Sequence, residues 1–192
     1  MKISEETRSI LKNFATINSG IKVGAGNQLQ TISNMKNILA TANVPETFSQ
    51  EFSIYNLVEF LGAVSLLDNP DFNFNDNSLS ISDTDTSMTY FYASEGMVTS
   101  PDKMITMPDA EIKIDLSSTL LNELQKAASV LGVNDLILES DGTNIKLVVT
   151  DKKNTTSNTF SRIVGEGNGV SFTMNFKIEN LKILDGNYEV FV

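Results

Sequence analysis

The stretch SEETRSILKNFATINSGIKV, residues 4–23, reads as one helix running straight into one strand. Ile10, Phe14 and Ile17 share one helical stripe, with Leu11 and Ala15 beside it. At about 100° per residue, Arg8, Lys12 and Ser19 face the other way. Ser4 is placed to cap the helix, and Glu5 and Glu6 occupy the first turn, where the helix dipole favours negative charge. Gly20 is the expected terminator, and Ile21 and Val23 begin an extended segment.

The pattern returns at Ser117, in SSTLLNELQKAASVLGVNDLILES. Leu120, Leu121, Leu124, Ala128 and Leu131 form its apolar stripe, while Asn122, Lys126 and Ser129 face outward. Gly132 closes the helix before the strand run Leu136, Ile137, Leu138. A second echo links EFSIYNL (residues 51–57) with NFKIENL (residues 175–181), where Phe, Ile, Asn and Leu recur at identical offsets. Two echoes in the same order predict a duplicated helix–sheet–helix–sheet unit.

Between the echoes the first half holds short extended runs at 21–23, 29–32, 38–42 and 48–54, punctuated by Gly24, Gly26, Asn34 and Pro45. Residues 55–67 read as a mostly apolar helix capped by Asn56, with Gly62 expected to allow a close approach to a sheet. Strands at 72–74, 79–81 and 88–92 follow. The last alternates poorly and suits an edge strand in search of a partner. The second half offers strands at 135–139, 144–149, 159–164 and 170–176, a helical turn at 179–183 and a strand at 188–192. Three strands follow the second helix of the first half, but only one fits here, so the second domain is expected to lack a terminal hairpin. The domains are then 1–94 and 111–192. The joining segment 95–110 has two prolines, no period, and Met97, Met104, Ile105 and Met107 in an otherwise polar run. It is either a plain tether or a docking loop, since Met-rich surfaces adapt to several partners.

Composition removes whole classes of chemistry. With no histidine and no cysteine, Ser-His-Asp and Cys-His machinery, disulfides and the common zinc sites are impossible. The carboxylates Asp68, Asp71, Asp76, Asp83 and Asp85 sit among Asn, Ser and Thr and read as solvated turn residues. Gly165-Glu-Gly-Asn-Gly169 precedes a strand, so it is a turn and not a phosphate loop. No enzyme, metal or cofactor is expected. The 41% hydrophobic fraction can fill a core, and no apolar run approaches the ~18 residues that span a bilayer. Two glutamates in the first six residues argue against a signal peptide. The net charge of −10 and pI near 4.4 oppose general contact with nucleic acid but leave room for a local basic stripe.

The segments LKNFATINSGI (11–21), IYNLVEFLG (54–62) and DGNY (185–188) resemble the DNA polymerase sliding clamps of T-even-type phages, and the order of the likeness runs along the whole chain. The resemblance implies an α+β DNA-clamp fold: two similar domains, each with two helices packed on antiparallel sheets. Three subunits would close head to tail into a ring around duplex DNA, helices inward. It assigns Lys2, Arg8, Lys12, Lys126 and Lys182 to DNA phosphates, the polymerase and clamp loader to a pocket beside Met97, Met104, Ile105 and Met107, and the cytoplasm of the infected host as the location. Three copies would carry −30, three times the −10 of one chain, so DNA would be tolerated only in the lumen. The helix at 55–67 lacks Lys and Arg, which makes that lumen unevenly positive. Edge strands bearing Met88, Tyr90, Phe91 and Tyr92, and Phe160, Arg162 and Ile163, are the expected subunit interface. The alternative is a ring-forming phage structural protein, which would have no need of a convergent basic stripe.

Overall fold

A computed structural model of the chain describes residues 1–101, 105–107 and 109–192. The chain divides into two compact units, Met1–Ile105 and Thr106–Val192, each with its own buried cluster. The first unit runs α1 (Glu5–Ile17), β1 (Ile21–Val23), β2 (Gly26–Ile32), β3 (Leu39–Phe48), β4 (Phe52–Ile54), α2 (Leu57–Val64), β5 (Asp71–Phe74), β6 (Ser78–Ser82) and β7 (Ser87–Phe91). All pairings are antiparallel: β1 with β4, β2 with β3, and β5-β6-β7 in that order.

Helix α1 starts as its sequence requires, with the Ser4 hydroxyl accepting from the Thr7 N–H at 3.2 Å. Its buried stripe is Thr7, Ile10, Leu11, Phe14 and Ile17. The buried Thr7 hydroxyl is not orphaned, because it donates to the Glu46 carboxylate, which also accepts from the Ser4 N–H. Gly20 does not terminate the helix. The chain leaves it at Asn18, whose backbone is extended and whose N–H still reaches Phe14 O. The Asn18 amide donates to Ile32 O at 2.9 Å and Thr99 O at 3.1 Å, tying helix, hairpin and the start of the connector together. Gly20 serves a different need: a Cβ there would lie 2.9 Å from Ile54 O, so only glycine admits the adjoining strand.

Three other expectations are corrected. Pro45 lies inside β3 instead of ending it. The β2–β3 register slips just there, between Gly26 and Gln28, so the proline sits where the ladder is already irregular. Gly62 faces open space and admits no sheet. In β7, burial alternates cleanly, with Met88 and Tyr90 turned to the core and Thr89 and Phe91 outward; the outward aromatic is what hid the period. The first residues extend along β5, for the Met1 amino group donates to Phe72 O and the Phe72 N–H donates to Met1 O.

The second unit runs β8 (Lys113–Leu116), α3 (Ser118–Leu131), β9 (Asp135–Asp141), β10 (Asn144–Thr150), β11 (Phe160–Glu166), β12 (Ser171–Lys177), a 3₁₀ turn (Ile178–Asn180) and β13 (Tyr188–Phe191). Ser117 caps α3, and Gly132 ends it in the left-handed region at φ 66°, as its pattern predicts. Leu121, Leu124 and Ala128 are buried beneath it. The sheet order is β11-β10-β9-β12. Because β11 and β12 flank the other two, their connecting loop crosses the β9–β10 turn: Gly167 N–H donates to Thr143 O and Gly169 N–H to Gly142 O. Strand β8 was not anticipated, although Ile112, Ile114 and Leu116 alternate. It pairs with β13 much as Met1 pairs with Phe72. The expected second helix of this unit is only the 3₁₀ turn, since Leu181 already leaves helical backbone at ψ 61°. Among the described residues the units therefore carry two α-helices and one.

Candidate nucleic-acid interface and partner groove

The basic positions stand in different circumstances. Lys12 is exposed on α1, opposite the buried stripe, and Lys126 stands the same way on α3, between exposed Asn122 and Ser129. Neither makes a salt bridge among the described residues. Arg8 lies on the flank of α1. Its side chain is only 19% exposed, and Nη1 reaches Glu5 Oε1 at 3.1 Å while Nε is buried without a partner. Lys2 is exposed ahead of the helix and shares a shallow cavity of about 460 Å³ with Arg8, Glu5, Glu46 and Asp68. Lys182 is half-buried just past the 3₁₀ turn. The outward face of α2 and the turn that follows it has Val58, Glu59, Gly62, Ser65 and Leu66, with no cation. Lys2, Arg8 and Lys12 thus belong to the first unit, and Lys126 and Lys182 to the second.

Two of the expected interface strands are sheet edges: β7 in the first unit and β11 in the second. Met88, Tyr90 and Tyr92 pack on the first core, leaving Phe91, 73% exposed, as the projecting side chain. In β11, Phe160 packs inward, Arg162 pairs with Glu123 of α3 at 3.2 Å, and Ile163 projects.

The connector is not a free tether at its start. Besides the Asn18 bond to Thr99, Met97 N–H donates to Ser94 O, and Val98 stands over Gly20. Met97, Ile105 and Met107 are exposed, while Met104 lies outside the described residues. Beside residues 93–100 opens a groove of about 890 Å³ lined by Lys22, Lys36, Glu51, Phe91, Tyr92 and Val98 among others. Lys22 and Glu51 pair across 2.8 Å, and that hydrogen bond, with the charge behind it, raises the Lys22 pKa. The groove is mixed in character, with charged Lys22, Lys36 and Glu51 beside Phe91, Tyr92 and Val98. Sequence reasoning missed an exposed residue beside Lys36, one of the side chains that line it. Met35, next to Lys36, caps the β2–β3 hairpin and is 86% exposed. Its turn is built and not floppy: the Ser33 hydroxyl accepts from the Asn37 and Ile38 N–H groups, and Lys36 adopts φ 56°. A lone Met between Asn and Lys in a polar turn was the available signal.

The turn carboxylates act locally. Asp83 accepts from the N–H groups of Asp68, Asp85 and Thr86, which holds its pKa below the usual value. Among the described residues, no group of three or more His, Cys, Asp or Glu side chains could hold a metal ion.

Helices on antiparallel sheets in two successive units are the architecture of the DNA-clamp fold. The fold aligns with A. fulgidus PCNA, solved with the C-terminal region of FEN-1, at a TM-score of 0.67 and 9% identity over 94% of this chain and 79% of that one. No protein-family model matches the chain. Its sequence is 34% identical to the sliding clamp of Vibrio phage KVP40 over 99% of this chain and 89% of the relative. It is 29% identical to the sliding clamp of Enterobacteria phage T4, over 99% and 86% respectively. The chain belongs to the sliding clamp family of DNA polymerase processivity factors.

Proposed function

We propose that three copies close head to tail around duplex DNA, with the outward faces of α1 and α3 turned to the phosphates, and that the ring works without catalysis. The observation that carries this reading is the placement of Lys12 and Lys126. In a chain of net charge −10, each stands exposed and without a salt bridge among the described residues, opposite the buried stripe of one of the two echoed helices. Lysine binds phosphate as a hydrated point charge with no demand on base sequence, so each interaction breaks and reforms as the ring moves. Lys2 and Lys182 supply secondary charge. Polymerase and clamp loader then dock by short segments in the groove beside the connector, with Met35 and Met97 as adaptable apolar contacts. The PCNA neighbour bound to a region of FEN-1 lends support by analogy of fold.

The test is Lys12→Glu with Lys126→Glu in one chain. Retention on duplex DNA should fall, and the slope of log affinity against log salt should flatten by about 0.9 for each phosphate no longer neutralised. An unchanged slope in a folded double variant would place the DNA elsewhere.

A further inference from the structure

We infer that Glu5 is a built-in competitor for Arg8, which holds the DNA grip of α1 below what its sequence charge suggests; this rests on the reading of α1 as a phosphate-facing helix. Glu5 and Lys12 lie on the same outward line of the helix, two turns apart, and Arg8 sits between them on its flank. The Glu5 side chain is 85% exposed, on the side from which a phosphate would arrive, and its Oε1 already holds Arg8 Nη1 at 3.1 Å. A carboxylate there offers the guanidinium a pair of anionic oxygens, as a phosphate diester does. Arg8 and Lys12, taken with Glu5, therefore present the net charge of one along this line of the helix.

The pair is also easily exchanged. An ion pair one helical turn long whose carboxylate stands in solvent is worth little, and in this arrangement Arg8 Nε is buried with no partner among the described residues. Leaving Glu5 for a phosphate oxygen frees that nitrogen from an unsatisfied position. Glu5 then repels the same phosphate, so the new interaction is short-lived. A clamp that must stay on DNA without stopping benefits from a cation that engages only intermittently. Lys12 provides the steady hold, and the Glu5–Arg8 pair sets how much is added to it.

The experiment is equilibrium binding of the full chain to a fluorescent linear duplex across a salt series, by anisotropy. Glu5→Gln should bind more tightly, with the salt slope steepened by up to about 0.9 per subunit, one further phosphate being neutralised by each. In an Arg8→Gln background the same Glu5→Gln change should leave the slope where it was. An equal rise in both backgrounds would mean a bulk charge effect and would overturn the proposal, as would a Glu5→Gln slope equal to wild type. Lys12→Gln separates the two levels: if it leaves the slope unaltered, the reading of α1 itself is wrong and the competitor has nothing to compete with.

Discussion

A carboxylate at the head of a turn in the second unit is held ionised by its neighbours. Asp141 Oδ1 accepts the N–H groups of Asn144 and Thr143, each at 2.9 Å, and Oδ2 faces Lys146 Nζ at 3.3 Å. Those two backbone donors, then the lysine, hold its pKa down at about 2. An unfolded aspartate titrates near 3.9. Because the folded value is the lower one, Asp141 contributes stability that is complete above the unfolded value and lost as pH falls toward the folded value. Asp135 adds to the same trend, its pKa lowered by the hydrogen bond from Lys177 and by the Lys152 N–H. The melting temperature of wild type should fall more steeply between about pH 4 and pH 2 than that of Asp141→Asn. Parallel curves would show that the turn does not couple to folding. At this scale the sequence was partly legible. Lys12 and Lys126 could be placed from periodicity alone, because an α-helix fixes direction at every residue. Arg8 could not, since its burial depends on the pairing with Glu5 and on the packing of its flank.

Elements were legible where one local rule governed them. Ser4 and Asn56 each cap the helix that their positions predict, and Gly132 ends α3 as a left-handed residue. The failures arose where a residue answered to something distant. Gly20 and Gly167 are glycine because another backbone passes close by, which no window of local sequence can reveal. Strand β8 was lost between a connector and a helix, and its partner β13 lies near the other end of the unit. The loop crossing in the second unit gives a sharp test. A Cβ on Gly167 would meet Gly142 backbone at 2.5 Å, and backbone cannot swing aside like a side chain. Gly167→Ala should therefore destabilise the protein by about 1–3 kcal/mol, the usual cost of overpacking, as read by urea denaturation. A change within error would mean that the β11–β12 loop can lift off without loss.

At the scale of the whole molecule, the free edges of β7 and β11 remain to be satisfied. In β7, Tyr92 N–H donates inward to Asn77 O, so by the antiparallel alternation Phe91 N–H points away from its own sheet. Proline at that position removes an outward donor and spares the internal ladder. If the proposed trimer pairs through this edge, Phe91→Pro should yield folded monomers by light scattering; an intact trimer would put the subunit contact on another edge. A heterologous edge-to-edge contact closes into a ring only when its rotation permits, which backbone pairing enforces more strictly than side-chain packing does.

The hairpin turn that carries Met35 gives the molecule a chemical reporter of its own. Its thioether is the most open among the described methionines, while Met88 and Met174 are packed against the cores. Dilute peroxide should convert Met35 to its sulfoxide before those two, a single added oxygen that peptide mass spectrometry locates without any label. A segment in the groove beside Lys36 that also reaches the hairpin turn should shade that sulfur and slow the reaction. Oxidation rate at one atom then tells when such a segment is in place, and an unshaded Met35 in the presence of a bound polymerase segment would mean that the segment lies clear of the turn.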